Sequence, residues 1–216
     1  MAYQRSALMQ ERLAENRERI LRAARTLVAQ GGFREASINA VAAAAGLSTG
    51  ALYRYFPSKA DLFVEVLTEA VRRECDILRE IIARPGTADQ RLRAAVESFA
   101  RRALEGPHLA YAFIAEPIDP EVDAARILCR QEFSDVFKTV LGQGVASGEF
   151  PPQSVDVAAA CIVGAFTEAL VRPVAPTTPR SKDEKLVEAI VDFCARAVAG
   201  PSTTMRPAAP RKRAKA

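Results

Sequence analysis

What this chain of 216 residues has little of narrows its chemistry first. It holds one histidine, His108, and four cysteines, Cys75, Cys129, Cys161 and Cys194, set far apart with no CxxC pair, so metal ligands at zinc-like spacing are missing. The same scarcity argues against an enzyme, because neither a convergent acid–base set nor a recognisable nucleophile motif is present. Long apolar runs are missing too. The longest, Val157 to Phe166, is half of what a bilayer-spanning helix requires, and the opening MAYQRSALMQER has no apolar signal core. The expectation is a cytoplasmic chain with reduced thiols packed as small apolar residues, and with no metal, no cofactor and no membrane partner.

What is present is helical patterning with an uneven charge. Residues 1–63 carry a net charge of +4, residues 64–198 a net −5, and the last eighteen a net +5 with no acidic residue. Basic ends around an acidic body point to nucleic acid at the front. Leu13, Ile20, Leu21, Ala24, Leu27 and Val28 recur at helical spacing and predict a first helix over about 11–30, ended by Gly31-Gly32. Ser58 and Asp61 open a long helix as a capping box, and Ser181 and Glu184 promise a second box at the last helix. Asp119-Pro120 reads as an acceptor cap followed by a proline at the first helical position. The helix after it carries Val122, Ala125, Leu128, Cys129, Phe133, Val136, Phe137, Val140 and Leu141 on one stripe. The final two helices are apolar on more than one face. Gly200 to Ala216 lacks periodicity and reads as a disordered basic tail.

The densest pattern runs from Ser37 to Phe63, SINAVAAAAGLSTGALYRYFPSKADLF. Ile38, Val41 and Ala42 make an apolar face, Gly46 stands where a left-handed residue lets the chain turn, and Leu47 plugs the turn. Ser48 caps a second helix, Thr49 to Tyr55, with Leu52 and Phe56 inward and Thr49, Gly50, Ala51, Tyr53, Arg54 and Tyr55 outward. Such a helix-turn-helix suits the major groove of DNA, although a plain bundle also joins amphipathic helices through a glycine turn. From Ala45 to Phe63 the residues resemble the DNA-binding signature of the tetracycline-repressor (TetR) family of bacterial transcriptional regulators. Ala45, Gly46, Ser48, Gly50, Leu52, Tyr53, Phe56, Ser58, Lys59 and Leu62 all fall where that signature expects them. Thr49 stands where the family often carries Lys or Arg.

The expected fold is all-α: an N-terminal three-helix head with the helix-turn-helix at 1–57, a helical effector-binding and dimerisation body of about six helices at 58–199, and the tail at 200–216. Arg54 has the fork that reads guanine, and Thr49 can touch a thymine methyl or a base edge. Ser37 presents a hydroxyl and free amides to a phosphate, Asn39 reaches toward a base, Ser48 caps, and Gly50 lets the backbone come close. The resemblance adds Tyr53, Tyr55 and Lys59 as phosphate contacts. It also implies a homodimer through the last two helices, reading a palindromic operator on double-stranded DNA, and a small-molecule effector pocket. Phe99, Tyr111, Phe113, Phe133, Phe137 and Phe166, with Cys75, Cys129 and His108 nearby in sequence, are the candidate lining, though aromatics at this spacing also read as plain core. Few charges fall on the inward stripes, which favours an apolar effector. The function this implies is repression relieved by that effector. The alternative is a DNA-associated adaptor or architectural protein governed by a protein partner.

Overall fold

Local start and stop signals account for most element boundaries. The computed structural model describes residues 7–179 and 183–200. Within them lie α1 (Ala7–Glu35), α2 (Ile38–Ala44), α3 (Thr49–Leu52), α4 (Lys59–Ile82), α5 (Ala88–Glu105), α6 (Pro107–Ile114), α7 (Pro120–Ser147), α8 (Val155–Val174) and α9 (Glu184–Ala199). Among the described residues the fold is all-α, a head of α1–α3 followed by a helical body. The side chains of Ser37, Ser48, Ser58, Thr87, Ser154 and Asp183 each accept an amide at a helix start. These bonds satisfy donors that no earlier carbonyl can reach.

Ser58 and Asp61 form the full capping box expected of them, and Thr87 with Gln90 forms another. Asp119 makes no side-chain cap bond, and Pro120 starts α7 through its fixed φ instead. Asp183 caps α9, while the expected Ser181 cap and the basic tail past Gly200 lie outside the described residues. Gly32 (φ 79°, ψ −176°) interrupts the helical geometry of α1 where the glycine pair predicts its end. Beyond it Phe33 turns inward and is buried.

One continuous core joins head to body. Ile20, Ala24 and Val28 of α1 meet Val41, Leu52 and Phe56 of the head and Leu62, Phe63 and Val66 of α4. The Phe33 ring bridges the two, 4.9 Å from Phe63 and 5.9 Å from Phe113 of α6. In the body, α7 packs between α4 and α8, and α9 packs on α5 and α8. The Arg93–Asp192 and Arg101–Glu184 pairs reinforce the α5–α9 contact from the rim.

Three expectations about the body need correction. Leu128 is 70% exposed beside Ile127, because the buried stripe of α7 passes through Cys129 and Phe133 on the opposite side. Cys161 is exposed, whereas Cys75, Cys129 and Cys194 are buried. Helix α8, with a mean hydropathy of 1.6, is long and apolar enough to cross a membrane by length and composition alone, although its uninterrupted apolar run is bounded by Asp156 and Thr167. Here α8 buries Ala159, Ile162, Val163, Phe166 and Leu170 against its neighbours. Its outward face shows Val157, Ala160, Cys161 and Gly164, next to exposed Phe193 of α9.

Candidate nucleic-acid interface and the cavity behind it

At the tip of the head, α2 ends at Ala45 and the chain reverses at Gly46 (φ 66°), a left-handed conformation in which a side chain is strained. The Arg19 guanidinium of α1 donates to the Ala45 carbonyl, placing a cation where the α2 dipole is negative. Helix α3 is shorter than expected. Its regular part covers only Thr49–Leu52, and Tyr53 to Phe56 continue as tight turns on the carbonyls of Thr49, Ala51 and Leu52. Leu52 and Phe56 point inward as expected and are buried.

The nine nominated DNA-contact residues all lie on the head or at the first turn of α4, in several environments. Ser37 and Ser48 are occupied as caps, their hydroxyls accepting from the amides of Ala40 and Ala51 at 3.2 Å. Thr49 donates its hydroxyl to the Asn39 side-chain oxygen at 3.1 Å, so the two helices present these residues as one joined polar surface. A Cβ placed on Gly50 would meet nothing within 4 Å, which leaves that flank open to a close-fitting surface. Tyr53 is 45% exposed, and the guanidinium of the exposed Arg54 makes no hydrogen bond or ion pair among the described residues. Tyr55 is half-buried and its hydroxyl accepts from Asn16 at 3.0 Å, which turns the ring back toward α1. The Lys59 ammonium sits over the Phe63 ring, 5.2 Å from its centroid. Asn16 and Arg19 escaped sequence reasoning because the atoms they hold lie 39 and 26 residues away.

Behind the head, α1, α4, α5, α6 and α7 line a half-open cavity of about 310 Å³, the lower end of small-ligand sites. Its apolar wall includes Phe99, Leu109, Phe113 and Phe133. Four charged residues also line it: Arg25 from the head, Arg73, and the ion-paired Glu74 and Arg102, 2.8 Å apart. Of the nominated lining, Phe99, Phe113 and Phe133 reach this space. Phe166 and Phe137 stand behind the wall, Phe166 4.7 Å from Phe99 and 5.5 Å from Phe137. Cys75 and Cys129 are buried outside the lining, and Tyr111 is half-buried outside it. His108 borders a smaller depression with Leu104 and Pro173. Burial pushes the Cys75 thiol up to about 12 and those of Cys129 and Cys194 up to about 11, so they remain neutral and unreactive near pH 7.

A capped helix-turn-helix with an open, polar second helix, mounted on a helical body with an interior cavity, defines a helix-turn-helix protein of the regulator type. Residues 20–66 match the family model for bacterial regulatory proteins of the tetR family, and residues 85–170 match that for the tetracyclin repressor-like C-terminal domain. The chain is 32% identical over 145 residues to the HTH-type transcriptional repressor KstR of Mycobacterium tuberculosis, across 67% of this chain and 64% of that one. It is 30% identical to the HTH-type transcriptional repressor KstR2 of Rhodococcus jostii, across 62% of this chain and 67% of that one. The match therefore spans just under two thirds of KstR's own length. In three dimensions it is similar to a transcriptional regulator FadR of Bacillus subtilis, whose crystal structure is a complex with stearoyl-CoA. The TM-score is 0.70 with 20% identity, over 84% of this chain and 98% of that one. The chain belongs to the tetR family of bacterial regulatory proteins.

Proposed function

We propose that the protein is a homodimeric, sequence-specific transcriptional repressor of the cytoplasm, held at the nucleoid on a palindromic operator and released by a small apolar effector. Residues 1–57 read DNA, 58–199 bind the effector and dimerise, and the tail past 199 adds basic charge. The observation that carries the reading is the exposed Arg54 guanidinium, without a partner among the described residues, in the turns that follow α3, with the Asn39–Thr49 pair and the open flank of Gly50 on the same head. Arg54 reads guanine there, Thr49 and Asn39 touch neighbouring base edges, and Ser37, Ser48, Tyr53, Tyr55 and Lys59 fix the register on phosphates.

One head spans too few base pairs to find a site in a genome, so two are needed. The outward apolar face of α8 and α9, with Val157 60% and Phe193 57% exposed, supports a four-helix interface between two copies. The cavity supports the effector. Its wall is mostly apolar, and Arg25, Arg73 and Arg102 offer donors to any acidic end of an otherwise apolar molecule. That the relatives KstR and KstR2 are repressors, and that the ligand in the FadR complex carries a long acyl chain, supports this reading.

Selection of bound duplexes from a random library at near-physiological salt tests it. An enriched palindrome, released when small and mostly apolar ligands are added, is the expected result. Salt-sensitive binding without a motif would favour the adaptor or architectural alternative.

A further inference from the structure

We infer that Glu116, in the link between α6 and α7, is the positioning residue through which the body sets the orientation of the DNA-reading head, an inference that rests on the DNA-binding reading above. Glu116 is 8% exposed, and its carboxylate crosses 83 residues of sequence to accept the Phe33 amide at 2.8 Å. Its other oxygen accepts the Arg34 amide at 3.1 Å. Both amides follow the break at Gly32, where a Cβ would stand 2.6 Å from the same carboxylate. Among the described residues no Lys or Arg lies within ion-pair distance of the Glu116 carboxylate, so its hydrogen bonds come from these backbone amides, with the Arg126 guanidinium acting on it from farther away. Buried charge without its bonds is costly, which makes the link stiff.

On the head side, Phe33 and Arg34 lie four and three residues before Ser37, the cap of α2, and the Ser37 amide donates to the Glu35 carbonyl at 2.9 Å. On the body side, Arg126 of α7 donates to the Glu116 carbonyl at 2.7 Å and to the Ala112 carbonyl at 2.8 Å, pinning the end of α6. Phe113, one turn before, lines the cavity and faces the Phe33 ring. The Arg17–Glu65 and Arg25–Glu69 pairs tie α1 to α4. Packing ties α1 to α6 as well, with the Phe33 ring against Phe113. Apolar packing is non-directional, and Glu116 adds to it two directional bonds on the chain just after Gly32, which fix how that chain leaves the body. The same carboxylate sits just past the end of a cavity-lining helix, so displacement of α6 reaches the chain before the first reading helix through these two bonds as well as through the Phe33–Phe113 contact.

The test uses full-length Glu116→Gln and Glu116→Ala with two readouts. The first is hydrogen exchange at the Phe33 and Arg34 amides, which is expected to quicken at least about tenfold in both variants. The second is binding to duplexes carrying the selected half-sites at the selected spacing and at one base pair less, one more and two more. Wild type is expected to prefer its own spacing by about tenfold or more. The variants are expected to fall below about threefold while base preferences within each half-site stay unchanged, since the reading helix itself is intact. A general loss of stability would lower binding at every spacing alike and leave the ratios standing. If the Ala variant fails to fold, the Gln variant, which keeps one acceptor oxygen, is read alone. Unchanged exchange, or retained spacing preference in a folded variant, overturns the assignment. A wild type that enriches no duplex overturns the DNA reading and this role with it.

Discussion

In the head, a short helix and a few tight turns send Arg54 and Tyr53 into solvent and turn only Leu52 and Phe56 inward. In the body, longer helices turn Phe99, Phe113 and Phe133 toward a half-open cavity, and α8 and α9 leave an apolar face outside. Both regions obey the same helical periodicity, yet they place function on opposite sides of it. An outward polar residue on a helix that has already buried its apolar stripe must answer to something beyond the chain, so its type and spacing carry meaning. An inward aromatic is ambiguous, because cavity wall and solid core demand the same residue types. Only the neighbouring helices decide which it is.

The largest expected effect breaks the comparison at the outward face of the body. Val157→Asp with Phe193→Asp should convert the dimer to a monomer in sedimentation. Operator affinity should fall roughly a hundredfold or more, since half-site recognition alone discriminates poorly. Unchanged sedimentation would assign that face to something other than a second copy.

Next in size comes the head. Arg54→Ala should cost about 1–3 kcal/mol of operator binding and relax base preference at one position in each half-site. Lys59→Ala, at a proposed phosphate contact, should weaken all duplexes alike and flatten the salt dependence. An equal loss across all sequences for Arg54→Ala would remove it from base readout.

A smaller effect sharpens the claim that caps define the short reading helix. Ser48→Ala removes the acceptor of the Ala51 amide and should cost about 1 kcal/mol of stability, read in chemical denaturation. Thr87→Ala, at the box that opens α5, should cost a similar amount without altering DNA binding, because it lies in the body.

The smallest effects near neutral pH come from the thiols. Cys75, Cys129 and Cys194 have folded values raised by burial from 9.0 to about 12, 11 and 11. A raised value means the neutral thiol is the form the fold favours, so this contribution is full below pH 9 and is lost as pH rises from there through the folded values. Stability should thus be insensitive to these groups near neutrality and decline in the alkaline range, as followed by thermal melting. Alkylation at pH 8 should modify Cys161 alone in the native protein. Because Cys161 lies on the proposed dimer face, its rate should rise on dilution into the monomer range.

Much of this architecture was legible in the sequence because its signals are local. The glycine turn at Gly46, the Ser58–Asp61 box and the inward pair Leu52 and Phe56 each depend on residues within one or two turns of helix, and the structure agrees. Long-range partners were not legible. A carboxylate in the apolar stretch AFIAEPIDP gives no hint that it reaches Phe33, and Asn16 gives none that it holds Tyr55. Four charged residues on the cavity wall were missed for a related reason, because long side chains from helix rims reach spaces that a stripe of inward positions does not describe. Leu128 shows the converse error, an apolar residue counted inward on a helix whose buried stripe had already passed it.

The most direct test of the account is a titration of the selected palindrome against an equal-length duplex with one half-site scrambled, with the mass of each complex measured by sedimentation. Two protomers on the palindrome, with binding weaker by roughly a hundredfold on the scrambled duplex, is the expected result. Equal affinity for both duplexes, or a single protomer on the intact palindrome, would contradict a dimer whose paired heads read DNA.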